Sequence, residues 1–400
     1  MTHPSAPAPA APPTILQVGA GLGQGGVERG IVEMAEYLVN HGWRSLVASA
    51  DGPLVETLLR VGGEHFDLPL TRRDPISIFR NAGRLARIIR ANNVSLVHAR
   101  SRAPAWAAWW ACKLTGTPFV TTFHGTYGLQ NVFKRAYNSV MVRGRLVIAI
   151  SGFIKDHICR NYGVDPARIR IAYRGYDPRR FDPTKVESTT LDRLWEEWEI
   201  PTLTPVICMP GRLTRWKGHE VFIAALKEMK HLPWKAVIVG GYDTKAGYFT
   251  QLWSQVDAAD LSRRVLFLGG RDDMADIYAA SDVVVCPATE PEAFGRVVVE
   301  AQAMGTPVIA SNIGGPAETV KSGQTGWLVR PNDPHRLALA MTDAITDSDR
   351  LSRMGKAASS WVKETFTTDR MCASELSVYK EILGLSDSAA TSPQQEAAHG

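Results

Sequence analysis

The chain has 400 residues, more than one hydrophobic core usually serves, so we expect two domains. Apolar residues account for 45% and charged residues for 21%, a globular composition that excludes a fibrous or wholly disordered chain. No apolar run approaches the roughly eighteen residues that a membrane-spanning helix needs.

The termini and the cysteines indicate a cytoplasmic protein. Residues 1–13 are rich in Ala and Pro and lack the basic start and apolar run of a signal peptide, so we expect a disordered tail there and a second one over 385–400. The five cysteines are scattered and show no metal-site spacing, so we interpret them as reduced thiols. They are Cys112, Cys159, Cys208, Cys286 and Cys372.

The net charge of +5 hides an asymmetry between the two halves. Residues 1–187 carry 24 basic and 13 acidic residues, a surplus of +11, whereas the remainder carries 21 and 27, which gives −6. No Asp or Glu occurs from Pro75 to Lys155, although twelve Arg and Lys residues lie in that interval. A surface of one sign favours an anionic partner such as lipid headgroups, a phosphorylated glycan or nucleic acid.

Strands and helices alternate along the chain, which predicts two doubly wound α/β domains with parallel sheets. In the first domain, residues 14–185, a Gly-rich turn leads into a helix from Val27 to Asn40, and Ile76–Ala91 forms a basic amphipathic helix. Trp106, Trp109 and Trp110 are expected in the core, with lipid contact as the alternative. Strands are predicted at Ile15–Val18, Ser45–Ser49, Leu96–His98, Phe119–Phe123 and Leu146–Ile150.

A linker over residues 174–183 and a charged helix, Val186–Glu199, lead into the second domain, residues 186–360. Its strands are predicted at Pro205–Met209, Ala236–Val239, Val265–Leu268, Val283–Val285, Pro307–Ala310 and Trp327–Val329. Helices are expected at Phe294–Met304, Pro334–Ile345 and Arg350–Lys356, with a last helix over 361–384.

Two carboxylates frame a turn and helix in the middle of the second domain. Glu292 precedes the predicted helix, and Glu300 lies inside it. Because helical side chains lean toward the helix N-terminus, Glu300 can reach the mouth of the loop that holds Glu292. The helix start at Gly295 also suits an anionic group.

This stretch resembles the donor site of the retaining glycosyltransferases of family 4, which have the GT-B fold. The resemblance rests on the spaced glutamates, on AQAMGTPVIAS, on the Gly314-Gly315 pair and on TGWLV. It implies two Rossmann-like domains with a cleft between them, and a last helix that crosses back onto the first domain. It also implies that Glu292 contacts the transferred sugar, that Glu300 contacts the donor ribose, and that Phe294 and Gly295 bind the donor.

The sequence MPGRLTRWKG, residues 209–218, resembles the family's diphosphate motif. By that resemblance Arg212 and Lys217 hold the donor diphosphate. Fixed cations stabilise the negative charge that grows on a nucleoside diphosphate as it leaves. Because no Asp-x-Asp motif stands in a plausible loop, we expect these cations to replace a divalent metal, and we expect no cofactor.

Further resemblances assign residues at the ends of other strands. His124, in TTFHG, is implied to contact the transferred sugar or to position the acceptor. Gly25 and Gly26 are implied to bring backbone N–H groups toward the donor phosphate. Gly270 and Arg271 are implied to lie beside the nucleotide base, although Arg271 equally fits a solvated turn.

Arg100 and Arg102 are assigned to an anionic acceptor, because they follow a strand end inside the acid-free interval. The nearby strings VHARSRAPAW and TTFHGTY look like bacterial envelope glycosyltransferases, particularly lipopolysaccharide-core enzymes. The family resemblance covers residues 14–384. One departure is Arg174, which stands where the family usually has Asn, and its role stays open.

The resemblance implies transfer of a hexose from a nucleotide diphosphate sugar to a lipid-linked or core saccharide, with retention of the anomeric configuration. Arg80, Arg84 and Arg87 recur at helical spacing, and they predict peripheral docking on the anionic cytoplasmic leaflet rather than on nucleic acid. Two other classes stay open. The Gly-x-Gly-x-x-Gly motif at Gly21–Gly26, with Asp51 after the next strand, fits a nicotinamide oxidoreductase. A non-catalytic glycan-binding relative is the other.

Overall fold

A computed structural model describes residues 12–23, 25–128, 131–241 and 247–386. The tails predicted over 1–13 and 385–400 fall outside these ranges except for two residues each. The chain folds into two compact units. Unit 1 comprises the described residues up to Ile150, Ile154–Ala172 and the described residues from Cys372 onward, and unit 2 comprises Ser151–Phe153 and Tyr173–Met371.

Unit 1 is built on a sheet of seven parallel strands. In chain order these are β1 Thr14–Gly21, β2 Arg44–Ala50, β3 Glu64–Asp67, β4 Leu96–Ala99, β5 Phe119–Phe123, β6 Val147–Ala149 and β7 Ile169–Ile171. Their order across the sheet is β3-β2-β1-β4-β5-β6-β7. This order reverses direction beside β1, as in doubly wound α/β folds, so the neighbouring carboxyl ends of β1, β4 and β5 are the expected ligand side.

The helices of this half of the chain are α1 Gly26–Asn40, α2 Val55–Arg60, α3 Pro75–Ala91, α4 Arg102–Thr115, α5 Val132–Asn138 and α6 Gly152–Tyr162. The predicted amphipathic helix is confirmed as α3. It begins where the side chain of Asp74 accepts a hydrogen bond from the backbone N–H of Ser77, with Pro75 in the first turn. Its buried face holds Leu85 and Ile89.

Unit 2 has a second all-parallel sheet, of six strands, in the order β10-β9-β8-β11-β12-β13. The strands are β8 Val206–Pro210, β9 Lys235–Val239, β10 Val265–Gly269, β11 Val283–Cys286, β12 Val308–Ser311 and β13 Gly326–Val329. The helices are α7 Ser188–Glu197, α8 His219–Glu228, α9 Tyr248–Ala258, α10 Met274–Ala279, α11 Arg296–Ala303, α12 Pro316–Thr319, α13 Pro334–Thr346 and α14 Ser348–Thr365.

The core of unit 2 explains why its strands are near-continuous apolar runs. Ile207, Val283, Val285 and Ile309 are fully buried, and they pack with helical residues such as Phe222. Parallel strands covered by helices on both faces need apolar side chains in both directions. The predicted linker over 174–183 also belongs to this unit, and within it Tyr176 and Phe181 are buried.

The last predicted helix, over 361–384, is two helices in the structure. After α14 the chain breaks at Phe366 and Thr367, and the final helix, α15, runs from Thr368 to Leu383. At the break the backbone pairs with Tyr176 instead of continuing the helical ladder: Tyr176 N donates to Phe366 O, and Thr368 N donates to Tyr176 O, both over 2.9 Å. From Cys372 onward α15 packs with unit 1.

None of the described helices combines the length and apolarity needed to cross a membrane. All five cysteines are free thiols, and only Cys159 among them is partly exposed.

Candidate active site

Two loops of unit 2 meet at the carboxyl ends of neighbouring central strands. The first runs from β8 to α8 and contains Arg212 and Lys217, and the second runs from β11 to α11 and contains Glu292. Their backbones are tied together where Thr289 N donates to Trp216 O over 2.8 Å. Because the strand order reverses between β8 and β11, this is the edge of the sheet where doubly wound domains bind ligands.

Lys217 and Glu292 form an ion pair across the two loops. The Lys217 ammonium donates to both carboxylate oxygens of Glu292, over 2.9 and 3.0 Å. Their side chains are only 15% and 20% exposed, so water screens the pair weakly. The sequence motifs point to both residues separately, and the structure brings them together.

Glycines permit this close approach of the loops. A Cβ at Gly218 would stand 1.9 Å from the carbonyl oxygen of Pro287, and a Cβ at Gly314 would stand 2.3 Å from that of Glu292. Both glycines also have a positive φ, 80° at Gly218 and 66° at Gly314, which disfavours other residues. The backbone amide of Gly315 then donates to the Glu292 carbonyl over 2.8 Å, which fixes the loop that carries the carboxylate.

Arg212 is the second cation at this edge. Its side chain is exposed, and within the described part of the chain its guanidinium has no hydrogen-bond or ion-pair partner. Lys217 is held by Glu292, whereas Arg212 is available to an anionic ligand. Judged from the described residues, the loop therefore offers one paired positive charge and one without a partner.

The helix after Glu292 begins later than predicted. α11 starts at Arg296 rather than Phe294, because Gly295 precedes it with φ 84°, outside the helical region. The ring of Phe294 is 3% exposed and packs against Phe366, so only its backbone is left to face a ligand. Glu300 lies one turn into the helix, 14% exposed, with the Arg296 guanidinium 3.6 Å away.

Gly270 and Arg271 follow strand β10 at the same edge of the sheet. Arg271 binds Asp273 over 2.8 and 2.6 Å and Glu197 over 2.8 Å. The hydrogen bonds to Asp273 raise the pKa of this guanidinium. The hydrogen-bonding groups of its guanidinium are thus used within the protein, which leaves the planar face of the guanidinium to face a ligand.

In unit 1 the predicted residues follow three adjacent strands. Gly25 and Gly26 stand after β1, at the start of α1, and His124 follows β5 directly. His124 is partly exposed. The carboxyl ends of β1, β4 and β5 share one edge, so these groups lie on the ligand side of their sheet.

The assignment of Arg100 to an anionic acceptor is wrong. Its side chain is 0% exposed, and its guanidinium binds Glu375 at 2.7 and 2.8 Å and Gln17 at 2.6 and 3.1 Å. Nearby, a buried hydrogen bond of 2.6 Å joins the His98 ring to the Tyr379 hydroxyl. Arg100 therefore ties α15 to the sheet of unit 1, and its charge is already neutralised.

Arg102 remains at the surface, in a basic cavity of about 320 Å³. Its guanidinium lies 4.3 Å from the ring centroid of Tyr127 and donates to Asn138 over 3.1 Å. Burial raises the pKa of Tyr137 in the wall, and the charges of Arg73 and Arg102 oppose that rise, so both cations lie near this hydroxyl. The cavity is lined by Ala20, Thr71, Arg73, Ser101, Arg102, Ala103, Pro104, Lys134, Tyr137 and Asn138.

Several residues of these sites were missed from the sequence. Arg73 and Lys134 belong to the basic half of the chain, but nothing in the local sequence shows that they face one cavity. His219, directly after the Lys217-Gly218 pair, is fully buried, and neither ring nitrogen makes a hydrogen bond of ordinary geometry in the described structure. Burial lowers its pKa to about 4, so the ring is neutral near pH 7. Arg174 is buried within unit 2.

Across the described ranges, no group of three or more His, Cys, Asp or Glu side chains is arranged to hold a metal ion.

The sequence matches two family descriptions: "Glycosyltransferase Family 4" over residues 24–180 and "Glycosyl transferases group 1" over residues 192–361. It is 30% identical over 308 residues to the "D-inositol 3-phosphate glycosyltransferase" of Corynebacterium jeikeium, a match that spans 72% of this chain and 73% of that one.

Solved structures give the same result. A glycosyltransferase from Rickettsia africae is 37% identical, covers 94% of this chain and 100% of its own, and superposes with a TM-score of 0.87. Anabaena HepE in complex with UDP-glucose shares the fold at 24% identity, with a TM-score of 0.77 over 91% of this chain and 99% of its own. The predicted fold class is confirmed: both units are Rossmann-like α/β domains with the parallel sheets of GT-B enzymes.

Proposed function

The chain belongs to the glycosyltransferases, with a family 4 region followed by a group 1 region, and we propose that it moves a hexose from a nucleotide diphosphate sugar to an anionic saccharide acceptor with retention of configuration. The observation that carries the donor half of this proposal is the meeting of Lys217 and Glu292 on the edge of the sheet that also holds Arg212, whose guanidinium has no partner among the described residues. Two cations and a carboxylate at one switch point suit a ligand that joins a diphosphate to a sugar.

The proposed reaction is a front-face substitution at the anomeric carbon. The bond from that carbon to the diphosphate oxygen breaks, the acceptor hydroxyl oxygen forms the new bond on the same face, and its proton passes to the departing phosphate oxygen. Arg212 and Lys217 stabilise the charge on the leaving group, Glu292 orients the transferred sugar, and Glu300 binds the ribose. His124 contacts the sugar or positions the acceptor.

The donor is tested by thermal shift with UDP, GDP, ADP and their sugars. A ligand that binds only the folded chain raises the midpoint by mass action, and at 100 times its dissociation constant it adds about 2.7 kcal/mol. UDP-sugars are the first candidates, since HepE binds UDP-glucose. Midpoints that respond to none of these nucleotides would remove the donor half of the proposal.

We infer that no divalent metal is needed, because Arg212, Lys217 and the start of α11 supply positive charge where the diphosphate would lie. Turnover should survive EDTA. Loss of turnover on chelation that magnesium or manganese restores would overturn this inference.

The proposed acceptor carries a phosphate or another anionic group that enters the cavity holding Arg102. A phosphorylated acceptor also agrees with the name of the Corynebacterium relative. Within that class, a lipid-linked or lipopolysaccharide-core saccharide remains our proposal. Arg102→Ala should raise KM for a phosphorylated acceptor and leave the donor KM unchanged. The matched control is Arg160→Ala, which removes a side chain that is 72% exposed on the same unit and pairs with Asp156.

We further propose that unit 1 docks peripherally on an anionic membrane. Arg80, Arg84 and Arg87 are all exposed, and within the described residues none pairs with a carboxylate. Each basic residue near such a surface contributes about 1 kcal/mol, less at high salt. Charge reversal of all three to Glu should abolish sedimentation with anionic liposomes and preserve nucleotide binding. Equal binding of the variant would remove the role given to these arginines.

A nicotinamide oxidoreductase would bind its cofactor at the Gly21–Gly26 turn and quench the cofactor's fluorescence, whereas the proposed transferase would not. A non-catalytic glycan-binding relative would bind acceptor without releasing nucleotide. Nucleotide release that depends on acceptor separates the proposed enzyme from both.

A further inference from the structure

Among the described residues of unit 1, the outer side of α5 carries the most exposed apolar pair. Val132 is 80% exposed and Phe133 is 86% exposed. We call these two residues the α5 tip. The opposite side of the helix is occupied, because Lys134, Tyr137 and Asn138, at positions i, i+3 and i+4, line the basic cavity. The tip directly precedes Lys134 in the chain, so it adjoins a residue that lines this cavity.

A second apolar surface lies on helix α3, which begins close in sequence to the same cavity. Arg73 lines the cavity, α3 starts at Pro75, and its side chains Ile76 and Phe79 are 66% and 62% exposed. Phe79 stacks on Trp110 of α4 with the ring centroids 5.6 Å apart.

The tryptophans of α4 continue this surface. Trp109 lies 4.7 Å from Trp110 and 6.0 Å from Trp106, and the guanidinium of Arg143 lies within 5 Å of the ring centroids of Trp106 and Trp109. All three rings are partly exposed, so they fit neither a full core position nor a free surface one. Aromatic rings with cations beside them are the side chains that proteins place at the boundary of lipid and water.

The charge around these apolar side chains has one sign. From Pro75 to Lys155 the chain has no carboxylate, and Arg135 adjoins the tip on α5 while Arg80 adjoins Phe79 on α3. A protein partner or a second copy of this chain would need carboxylates to match, and a second copy would present the same positive surface. An anionic lipid surface satisfies both features at once, since it accepts apolar side chains beneath a layer of negative headgroups.

We propose that the α5 tip inserts into the apolar region of an anionic membrane, so that the cavity of Arg73, Arg102 and Lys134 opens at the level of the lipid phosphates. This inference rests on the proposed peripheral docking, and it adds an apolar contact to an electrostatic one. It makes the acceptor a lipid-borne one, because a phosphate carried by a lipid then enters the cavity without leaving the membrane. Val132 and Phe133 act in binding and take no part in the reaction.

The test is sedimentation of the full chain with vesicles of phosphatidylcholine alone and with phosphatidylglycerol added. The double variant Val132→Ser/Phe133→Ser should partition about 10- to 100-fold more weakly onto anionic vesicles, the size expected when two apolar side chains no longer leave water. Phe133→Trp should bind as well as the native chain. The matched control is Leu203→Ser, which removes an apolar side chain that is 96% exposed on unit 2.

Salt separates the two contributions. High salt weakens the electrostatic attraction and leaves the apolar part, so binding of the native chain at high salt should exceed that of the double variant. Unchanged binding of the double variant at every salt concentration would overturn insertion and leave electrostatic docking standing. Self-association that disappears in the double variant, without any vesicle binding, would assign the tip to a second copy.

The nucleotide thermal shift is measured on every variant in parallel. A native shift with lost vesicle binding supports insertion. Vesicle binding without any nucleotide shift would instead contradict the donor site, so the two proposals fail separately. Inorganic phosphate serves as the soluble probe of the cavity. We expect added phosphate to displace only a small fraction of the chain from the vesicles. If inorganic phosphate displaced the chain from the vesicles completely, a lipid source for the anion would be overturned.

Discussion

Replacing Lys217 by Met tests the diphosphate grip most directly. The substitution keeps most of the side-chain volume and removes the charge that lies 2.9 Å from the carboxylate of Glu292. Losing one preorganised group that stabilises transition-state charge typically costs about 2.7–4 kcal/mol, or 10²- to 10³-fold in kcat. We expect a loss of that size with any donor that the chain accepts.

Stability must be separated from turnover in this variant, because the ion pair also holds two loops together. Removing Lys217 leaves Glu292 without its partner at 20% exposure, which is less costly than the roughly 3–5 kcal/mol of a fully buried broken pair. Kinetics are therefore measured at a temperature well below the midpoint, with the folded fraction checked by circular dichroism and by urea unfolding.

Lys230 supplies a matched control in the same unit. It pairs with Asp260 over the same 2.9 Å, but the two side chains are 44% and 91% exposed, so water screens this pair and it should contribute little to stability. Lys230→Met should leave kcat unchanged. The reasoning would be refuted by near-native turnover in Lys217→Met, or by an equal loss in the Lys230 variant.

Three further outcomes follow from the same geometry. Glu292→Gln should lower kcat yet tighten binding of the free nucleoside diphosphate severalfold by isothermal titration, since Lys217 is released; weaker binding would contradict this. Glu375→Gln should cost about 3–5 kcal/mol in urea unfolding because it breaks a buried pair, whereas Glu381→Gln, in a pair about half exposed, should cost about 1 kcal/mol or less. Burial lowers the pKa of His219 in the folded chain to about 4, whereas its ordinary value lies near 6.5. Between these two pH values the unfolded chain binds more protons than the folded chain. The free energy of unfolding should therefore fall as the pH drops from about 6.5 to about 4. His219→Gln should flatten that part of the curve, and an unchanged slope would show that other groups cause it.

Much of the fold could be predicted from the sequence, because buried parallel strands are continuous apolar runs. All six strands of unit 2 were predicted within a few residues, and the Gly-rich turns after them marked where the side chains with chemical roles would stand. Strands β3 and β7 were missed, since EHFD and IRI are short and partly polar, and they form only by pairing with strands already in place. Tertiary pairing decides the register and the edge position of a strand, and the local sequence pattern does not indicate that pairing.

The break between α14 and α15 shows the same limit. Residues 361–384 have the periodicity of one helix, and the interruption at Phe366 comes from backbone hydrogen bonds to Tyr176, about 190 residues earlier. The Lys217–Glu292 pair is likewise a tertiary event. Motifs identified each residue, but nothing in either motif states that the two are partners in the absence of ligand.

Arg100 shows why counting charges along a sequence misjudges a surface. The interval from Pro75 to Lys155 lacks acids, yet the carboxylate that neutralises Arg100 comes from Glu375, 275 residues later. Arg90 is also committed, because it donates to the carbonyl of Leu114 over 2.8 Å. A one-sign stretch therefore predicts a binding surface only through those members that have no partner elsewhere in the fold.

In this chain, the arginines of the interval that stay exposed lie at definite positions. Arg80, Arg84 and Arg87 stay exposed on one face of α3, and Arg102 opens into the cavity that Lys134 also lines. A purely structural role for the interval would have left its arginines capping carbonyls and covering apolar surface with their stems. That account fits Arg90, but it leaves two apolar side chains of the α5 tip in water without a compensating contact. Docking through this surface accounts for the exposed charge and the exposed apolar groups by a single partner, and that is why the anionic membrane is the partner we propose.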